Sequence, residues 1–374
     1  MVVTARLSKV HALAAAAALL LAACGGAAPP GVSGGASASA AKPAASASAP
    51  AGASSATPAA SSSAQAKPGT SGGDKITVVY NSPDSGYLPL WVGQDTDIFQ
   101  KHGLTVDLQL VSNGNQSMAA LLSGQVQFVQ SGGSAALSPA ADGADLTVLT
   151  TIIPVYSYLL ESTPDIKTPA DLKGKKLGVS SFGDSSDLAT RYSLKKLGID
   201  PDKDVSILAI GGTPVRAAAL RGGSIQAAVA SFPENLALEK DGFRRIMDMA
   251  SLKIPAAGQS TIAQKSWVAS HRDVTQRYVD SLIEALGRLK SDRAGTLAIM
   301  KKWTKLDDDQ ALAATYDYYT LEVFPAVPDP NPTLFADSVA TLAKTNDKVA
   351  SVDLSKLLDG SFVKSAVDRG LTKS

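Results

Sequence analysis

The chain has 374 residues, a formal net charge of +1 and a single cysteine, Cys24. With no basic block and no repeated Arg/aromatic pattern, nucleic acid is an unsuitable partner. With Cys24 lipidated, no thiol is left for a disulfide, a cysteine metal site or a thiol nucleophile.

Arg6 and Lys9 precede an uninterrupted Ala/Leu run from Ala12 to Leu21. The run falls short of the roughly 20 apolar residues needed to span a bilayer, so it reads as the core of a secretion signal. It ends at Leu21-Ala22-Ala23-Cys24, which resembles the bacterial lipobox. Residues 1–23 are therefore expected to be a lipoprotein signal peptide, with acyl chains on Cys24 holding the protein to a lipid bilayer. Residues 24–73 are almost entirely Ala, Ser, Pro and Gly. Such a segment buries too little apolar surface to offset its ordering entropy, so a disordered tether is expected, with a reach of roughly 40 Å.

From Asp74 the composition changes, and about 300 residues remain, enough for two lobes. Strands are predicted at Ile76–Tyr80, Thr105–Val111, Val126–Gln130 and Leu146–Ile153. Helices Leu90–His102, Gln116–Ser123 and Ser134–Asp142 separate them, each closed by a glycine (Gly103, Gly124, Gly143). A second series follows, with strands Lys176–Ser180, Val205–Ile210, Ile225–Ala230 and Phe243–Met249. Its helices are Asp187–Leu197, Pro214–Arg221 and Glu234–Asp241. The alternation predicts βαβ units and mostly parallel sheets. Gly124-Gln125-Val126-Gln127 and Gly223-Ser224-Ile225-Gln226 each follow a small-residue helix ending in Leu, which suggests two similar α/β lobes. Beyond Ser260 the pattern turns helical. Val274, Tyr278, Val279, Leu282, Ile283, Leu286 and Leu289 form one face of a long helix, with further helices at Asp307–Val323 and Thr333–Lys344.

In open α/β sheets, ligands bind beyond the carboxyl ends of the strands. In the first series the loops there contain Ser82, Asp84, Tyr87, Asn113, Gly114, Ser131 and Gly132. In the second they contain Phe182, Gly183, Asp184, Ser185, Thr213, Ser231 and Glu234. Small polar loops that open helices offer free N–H groups and hydroxyls to an anion. Tyr87, Trp91, Phe182 and Phe232 are candidates for an apolar wall. The same Ser, Asn and Asp residues also suit turns and helix caps. Asp84, Asp184 and Glu234 would repel a plain anion, and are either outward caps or partners for a cationic group on the ligand.

Gly86-Tyr87-Leu88-Pro89-Leu90-Trp91, Gly103-Leu104-Thr105-Val106 and Leu122-Ser123-Gly124-Gln125-Val126-Gln127-Phe128 resemble the nitrate/sulfonate/taurine-type solute-binding proteins of ABC importers. Gln127 departs from the Asp more usual there. Asp171 to Val179, Leu197-Gly198-Ile199-Asp200-Pro201 and Phe232-Pro233-Glu234 continue the resemblance over most of residues 74–371. It implies an α/β, two-lobed type II periplasmic-binding-protein fold with mixed, mostly parallel sheets and a helical C-terminal tail. Lobe 1 would comprise 74–160 and 261–374, and lobe 2 would comprise 161–260. Hinge strands would lie near Tyr156–Glu161 and Gln259–Gln264.

The implied function is capture of a small anionic or aromatic solute (sulfonate-, nitrate-, taurine- or pyrimidine-like) by a monomer facing the periplasm or cell exterior, and its delivery to a membrane permease. Presenting ligand to a sensor is the alternative. An enzyme of thiamine-pyrimidine synthesis shares the fold, but uses a His and a cysteine cluster. This body offers only His102 and His271 and no Cys. No H-E-x-x-H, G-x-S-x-G, Walker or dinucleotide motif occurs, and Asp307-Asp308-Asp309 suits a helix start, so no enzyme, cofactor or metal is expected.

Overall fold

A computed structural model describes residues 73–373. The signal peptide, Cys24 and nearly all of the tether lie outside the described residues.

Two five-stranded sheets have the same internal order. The first is β2-β1-β3-β10-β4, from β1 (Asp74–Tyr80), β2 (Leu104–Leu110), β3 (Phe128–Ser131), β4 (Leu146–Val155) and β10 (Pro255–Gln264). The second is β7-β6-β8-β5-β9, from β5 (Leu159–Ser162), β6 (Lys176–Val179), β7 (Ser206–Ala209), β8 (Ala227–Ala230) and β9 (Arg244–Asp248). In each sheet one strand runs against the rest, β10 in the first and β5 in the second. That strand is the one that arrives from the other lobe. The sheets are thus mixed, and mostly parallel by strand direction.

The Gly-x-x-Gln repeat has a structural role in both lobes. The Gln127 side-chain oxygen accepts the Thr77 amide at 2.8 Å, and Gln226 accepts the Lys176 amide at 3.1 Å. Each glutamine fixes the third strand of its lobe against the first. Gly124 and Gly223, at φ 76° and 70°, end the preceding helices in the left-handed region that a side chain disfavours.

β1 is apolar on both faces. Ile76, Val78 and Tyr80 join the core built with the C-terminal helices, and Val79 joins the core on the opposite face. The helix Arg272–Ser291 buries Tyr278, Val279, Leu282, Ile283, Leu286 and Leu289 there, and Tyr278 stacks on Phe128 at 4.3 Å.

Four helices differ from expectation. Ser134–Asp142 opens as a 3-10 turn, Gly133–Ala136, and its α-helix is Leu137–Ala141. Leu90–His102 is two helices, Leu88–Asp95 and Ile98–Lys101, separated by Asp97 at φ 57°. Thr96 turns its hydroxyl back onto the Val92 carbonyl, and the Asp95 carboxylate is held by Lys302 and Trp303. The Asp307 segment begins its helix at Asp309, because Asp308 accepts the amides of Gln310 and Ala311. It then widens into a π-helix at Tyr318–Val323. Thr333–Lys344 opens as a 3-10 turn, Pro332–Phe335, and the α-helix is Ala336–Leu342.

The chain passes between the sheets twice, at residues 156–158 and 249–254. The second passage precedes Gln259–Gln264, where a hinge was expected. Residues 255–260 already belong to the first sheet, because β10 pairs with β4 from Pro255 onward. The second sheet likewise starts at Leu159, two residues ahead of the expected boundary.

Candidate functional site

The carboxyl ends of both sheets face one small cavity of about 50 Å³. Lobe 1 contributes Asn81, Ser82, Asp84 and Tyr87 from the segment after β1, with Ser131 at the end of β3 and Gly132 next to it. Lobe 2 contributes Ser180, Asp184 and Ser185 after β6, Gly212 and Thr213 after β7, and Ser231 after β8. Ser157 and Tyr158 come from the first passage, Gly258 and Gln259 from β10, and Tyr319 from the π-helix.

The lobes meet around this space. The Gly114 amide donates to the Ser181 hydroxyl at 3.2 Å, and the Tyr158 and Ser185 hydroxyls lie 3.0 Å apart. A Cβ on Gly132 would lie 2.8 Å from the Ser185 Cβ, and one on Gly212 would lie 3.1 Å from the Asn81 carbonyl oxygen. Both glycines permit an approach between lobes that a side chain would block.

Several expected contacts lie elsewhere. Trp91 is 0% exposed, but on the inner face of its helix, stacked on Trp303 at 5.5 Å. Asn113 caps its helix by accepting the Gln116 amide and is exposed. Gly114 spends its amide on Ser181 and is not in the cavity wall. Phe182 and Gly183 line an outer groove with Thr341 and Leu342, and Phe182 is 55% exposed. Glu234 points away and pairs with Arg221 at 2.7 Å. Phe232 stacks on Tyr318 at 4.3 Å instead of lining the wall.

The expected anion cradle at the helix Ser185–Lys196 is already filled from within. Asp184 Oδ1 accepts the amides of Ser186 and Asp187 at 2.9 and 3.1 Å, and Asp184 Oδ2 accepts the Ser180 hydroxyl. The cavity's cation is instead Arg216, on the first turns of the helix Thr213–Arg221 and only 2% exposed. Its Nε donates to the Val229 carbonyl at 3.0 Å, and its terminal nitrogens donate to the Gly211 carbonyl at 2.8 Å and the Thr213 hydroxyl at 3.0 Å. A guanidinium carries five N–H donors, so two remain beyond these three bonds. Among the described residues, no carboxylate oxygen lies within 4.0 Å of it. Burial pulls its pKa below the ordinary arginine value, against the pull of Tyr158, Asp184 and Asp84.

Asp84 faces it from lobe 1. Its Oδ1 accepts the Gly86 amide at 3.0 Å. Burial pushes its carboxyl up to about 6, opposed by Ser82, Gly86, Arg216 and Ser231. Burial raises Tyr158 to about 12, and raises Tyr87 and Tyr319 well above the usual tyrosine value, with Asp84 adding to both. Gln259 Oε1, Asn81 Oδ1 and Ser82 Oγ are buried at the cavity without a hydrogen-bond partner among the described residues.

Sequence reasoning missed Arg216 because a helix interior, not a loop, supplies it. The available signal was a charge on the same helix face as Ala217 and Leu220, both buried. Tyr158, Gln259 and Tyr319 reach the site through the interlobe passage, the returning strand and the tail, so no local pattern points to them.

The sequence profile of the family described as NMT1/THI5 like matches residues 84–290, more than half of the chain. A provisionally named binding protein of Brucella abortus (strain 2308) is 32% identical over 117 residues, 31% of this chain and 35% of its own length. The taurine-binding periplasmic protein of Escherichia coli (strain K12) is 30% identical over 225 residues, 56% of this chain and 65% of its own. The chain thus aligns with about a third of the first relative and just under two thirds of the second. The alkanesulfonate-binding protein SsuA of Xanthomonas axonopodis pv. citri, bound to MOPS, superposes with a TM-score of 0.64 at 19% identity. That match covers 78% of this chain and 99% of that one, and it establishes the likeness of fold.

Proposed function

Since the chain belongs to the NMT1/THI5-like family, we propose that it is the extracytoplasmic solute receptor of an ABC importer, acting as a monomer held to the membrane by acyl chains on Cys24. It captures a small organic anion between its lobes and presents the closed form to a membrane permease. The observation that carries this reading is Arg216, a buried guanidinium at the cavity with no carboxylate within 4.0 Å among the described residues and with donors to spare. A buried cation without a counter-ion is costly, and a bound anion supplies the missing charge. The taurine named for one relative and the alkanesulfonates named for one fold neighbour share an anionic sulfonate head of this kind. The small cavity suits a compact solute.

A thermal-shift screen of sulfonates, nitrate, aromatic acids, pyrimidines and amino compounds tests the reading. An anion at a hundred times its dissociation constant is expected to add about 2.7 kcal/mol of stability. No stabilisation by any member of the panel would overturn it. Anchoring has its own test. Cys24→Ser is expected to abolish labelling by a fatty-acid probe, and persistent labelling would refute the anchor.

A further inference from the structure

Two buried charges of opposite sign face the same cavity from opposite lobes. Asp84 stands on the loop after β1, and Arg216 on the helix after β7. Neither has an ion-pair partner within 4.0 Å among the described residues. Asp184, the other carboxylate at the wall, is not equivalent. It is occupied by the amides of Ser186 and Asp187 and by the hydroxyls of Ser180 and Ser186. Asp84 makes a single bond to backbone, with the Ser82 and Ser231 hydroxyls beside it.

We propose that the solute is a small zwitterion whose anionic head meets Arg216 and whose ammonium group meets Asp84, bridging the two lobes. The inference rests on the anion-receptor reading above and adds the other end of the ligand. A ligand with only a negative charge satisfies Arg216 but leaves the Asp84 carboxylate buried beside a second negative charge. A ligand with both charges neutralises both groups, and does so only when the lobes come together. The small cavity limits the spacer between the charges to a few atoms. Asp84 is then the residue that separates amino-bearing anions from the rest.

One rival use of Asp84 is as a protonated donor to an oxyanion. The two uses predict opposite pH trends. The groups facing Asp84 are Arg216 and Ser231 from lobe 2, Ser82 and Tyr87 from its own loop, Tyr158 from the first passage and Tyr319 from the π-helix. The tyrosines are all raised and a guanidinium keeps its proton, so a change in affinity near pH 6 that disappears in Asp84→Asn belongs to Asp84 and not to Asp184 at the same wall. As an ammonium partner, Asp84 loses affinity when it takes a proton. As a protonated donor, it gains affinity.

The test is calorimetric titration of the full chain with 2-aminoethanesulfonate against ethanesulfonate and β-alanine against propionate, at about pH 5 and about pH 7.5. The amino member of at least one pair is expected to bind about tenfold or more tighter at the higher pH, with the ratio shrinking at the lower. Asp84→Asn is expected to bring the ratio close to one. Equal or tighter binding of the amine-free member, a ratio that survives Asp84→Asn, or affinity that rises toward acid overturns the zwitterion. In the first and third cases the anion receptor still stands. That reading falls if the broad panel yields no anion at all.

Discussion

The two lobes share one strand order and one Gly-x-x-Gln device, yet they bring different chemistry to the cavity. Lobe 1 supplies a carboxylate, Asp84, and lobe 2 supplies a guanidinium, Arg216. Their reversed strands differ as well. In lobe 1, β10 meets its neighbours through a hydroxyl ladder, Ser260 to Thr151 at 2.9 Å, Thr261 to Thr150 at 2.7 Å and Gln130 Nε2 to Thr261 at 2.6 Å, which leaves only the neutral Gln130 Oε1 of these groups unpaired among the described residues. In lobe 2, β5 buries Glu161 at 0% exposure, and among the described residues neither carboxylate oxygen is hydrogen-bonded and the ion-pair cation, Arg245, is 3.9 Å away. A shared topology therefore fixes where the loops converge, and leaves open which charges they carry and how well each core is satisfied.

The largest expected effect comes from keeping the lobes apart. Gly132 has φ −55°, a backbone that any residue adopts, so a side chain there leaves lobe 1 intact and collides only with Ser185 across the cleft. Gly132→Val is expected to weaken solute binding about 100-fold or more, roughly 2.7 kcal/mol, with the unliganded thermal midpoint unchanged. Ser131→Trp and Ser231→Trp fill the cavity from its two sides and are expected to act alike. Unchanged affinity in all three would mean that the solute binds elsewhere.

The next effect is on stability. Burial pushes the Glu161 carboxyl up to about 8, with Glu239 adding to the rise and Arg245 opposing it. The folded value lies above the unfolded one, so ionisation is penalised in the folded state. Stability is therefore lost as pH climbs from the ordinary glutamate range through about 8. Glu161→Gln is expected to gain about 1–3 kcal/mol over the native chain at pH 8 and little at pH 4, read by denaturant unfolding. A gain independent of pH would show that Glu161 is not the titrating group.

The smallest effect tests the repeat. Gln127→Ala and Gln226→Ala each strip the partner from a strand amide, at a cost of about 1 kcal/mol. The Gln127 bond is part-buried and the Gln226 bond exposed, so the lobe 1 variant is expected to lose more. The reverse order would mean that the two devices are not equivalent.

Much of this was legible in the sequence because strand ends and their loops are local. Ser82, Asp84, Tyr87, Ser131, Gly132, Asp184, Ser185, Thr213 and Ser231 lie at strand ends or in the loops and helix starts that come after them, and all of them line the cavity. Aromatic residues were harder to place, since residue type does not reveal which way a side chain faces. Trp91 lies one helical turn from Leu88 and shares its inward face, while Phe182 points into an outer groove. Arg216 escaped because its helix reads as an ordinary surface element until tertiary packing buries its first turns. Gln259 and Tyr319 come from far along the chain and depend on the full topology.

The most direct test of the account is a titration of the tightest-binding anion from the panel into the native chain and into Arg216→Gln, alongside Arg216→Lys, which keeps the charge. The account predicts at least about a tenfold loss of affinity in Arg216→Gln and a partial recovery in Arg216→Lys. Equal affinity in Arg216→Gln and the native chain, with both folded, would contradict it.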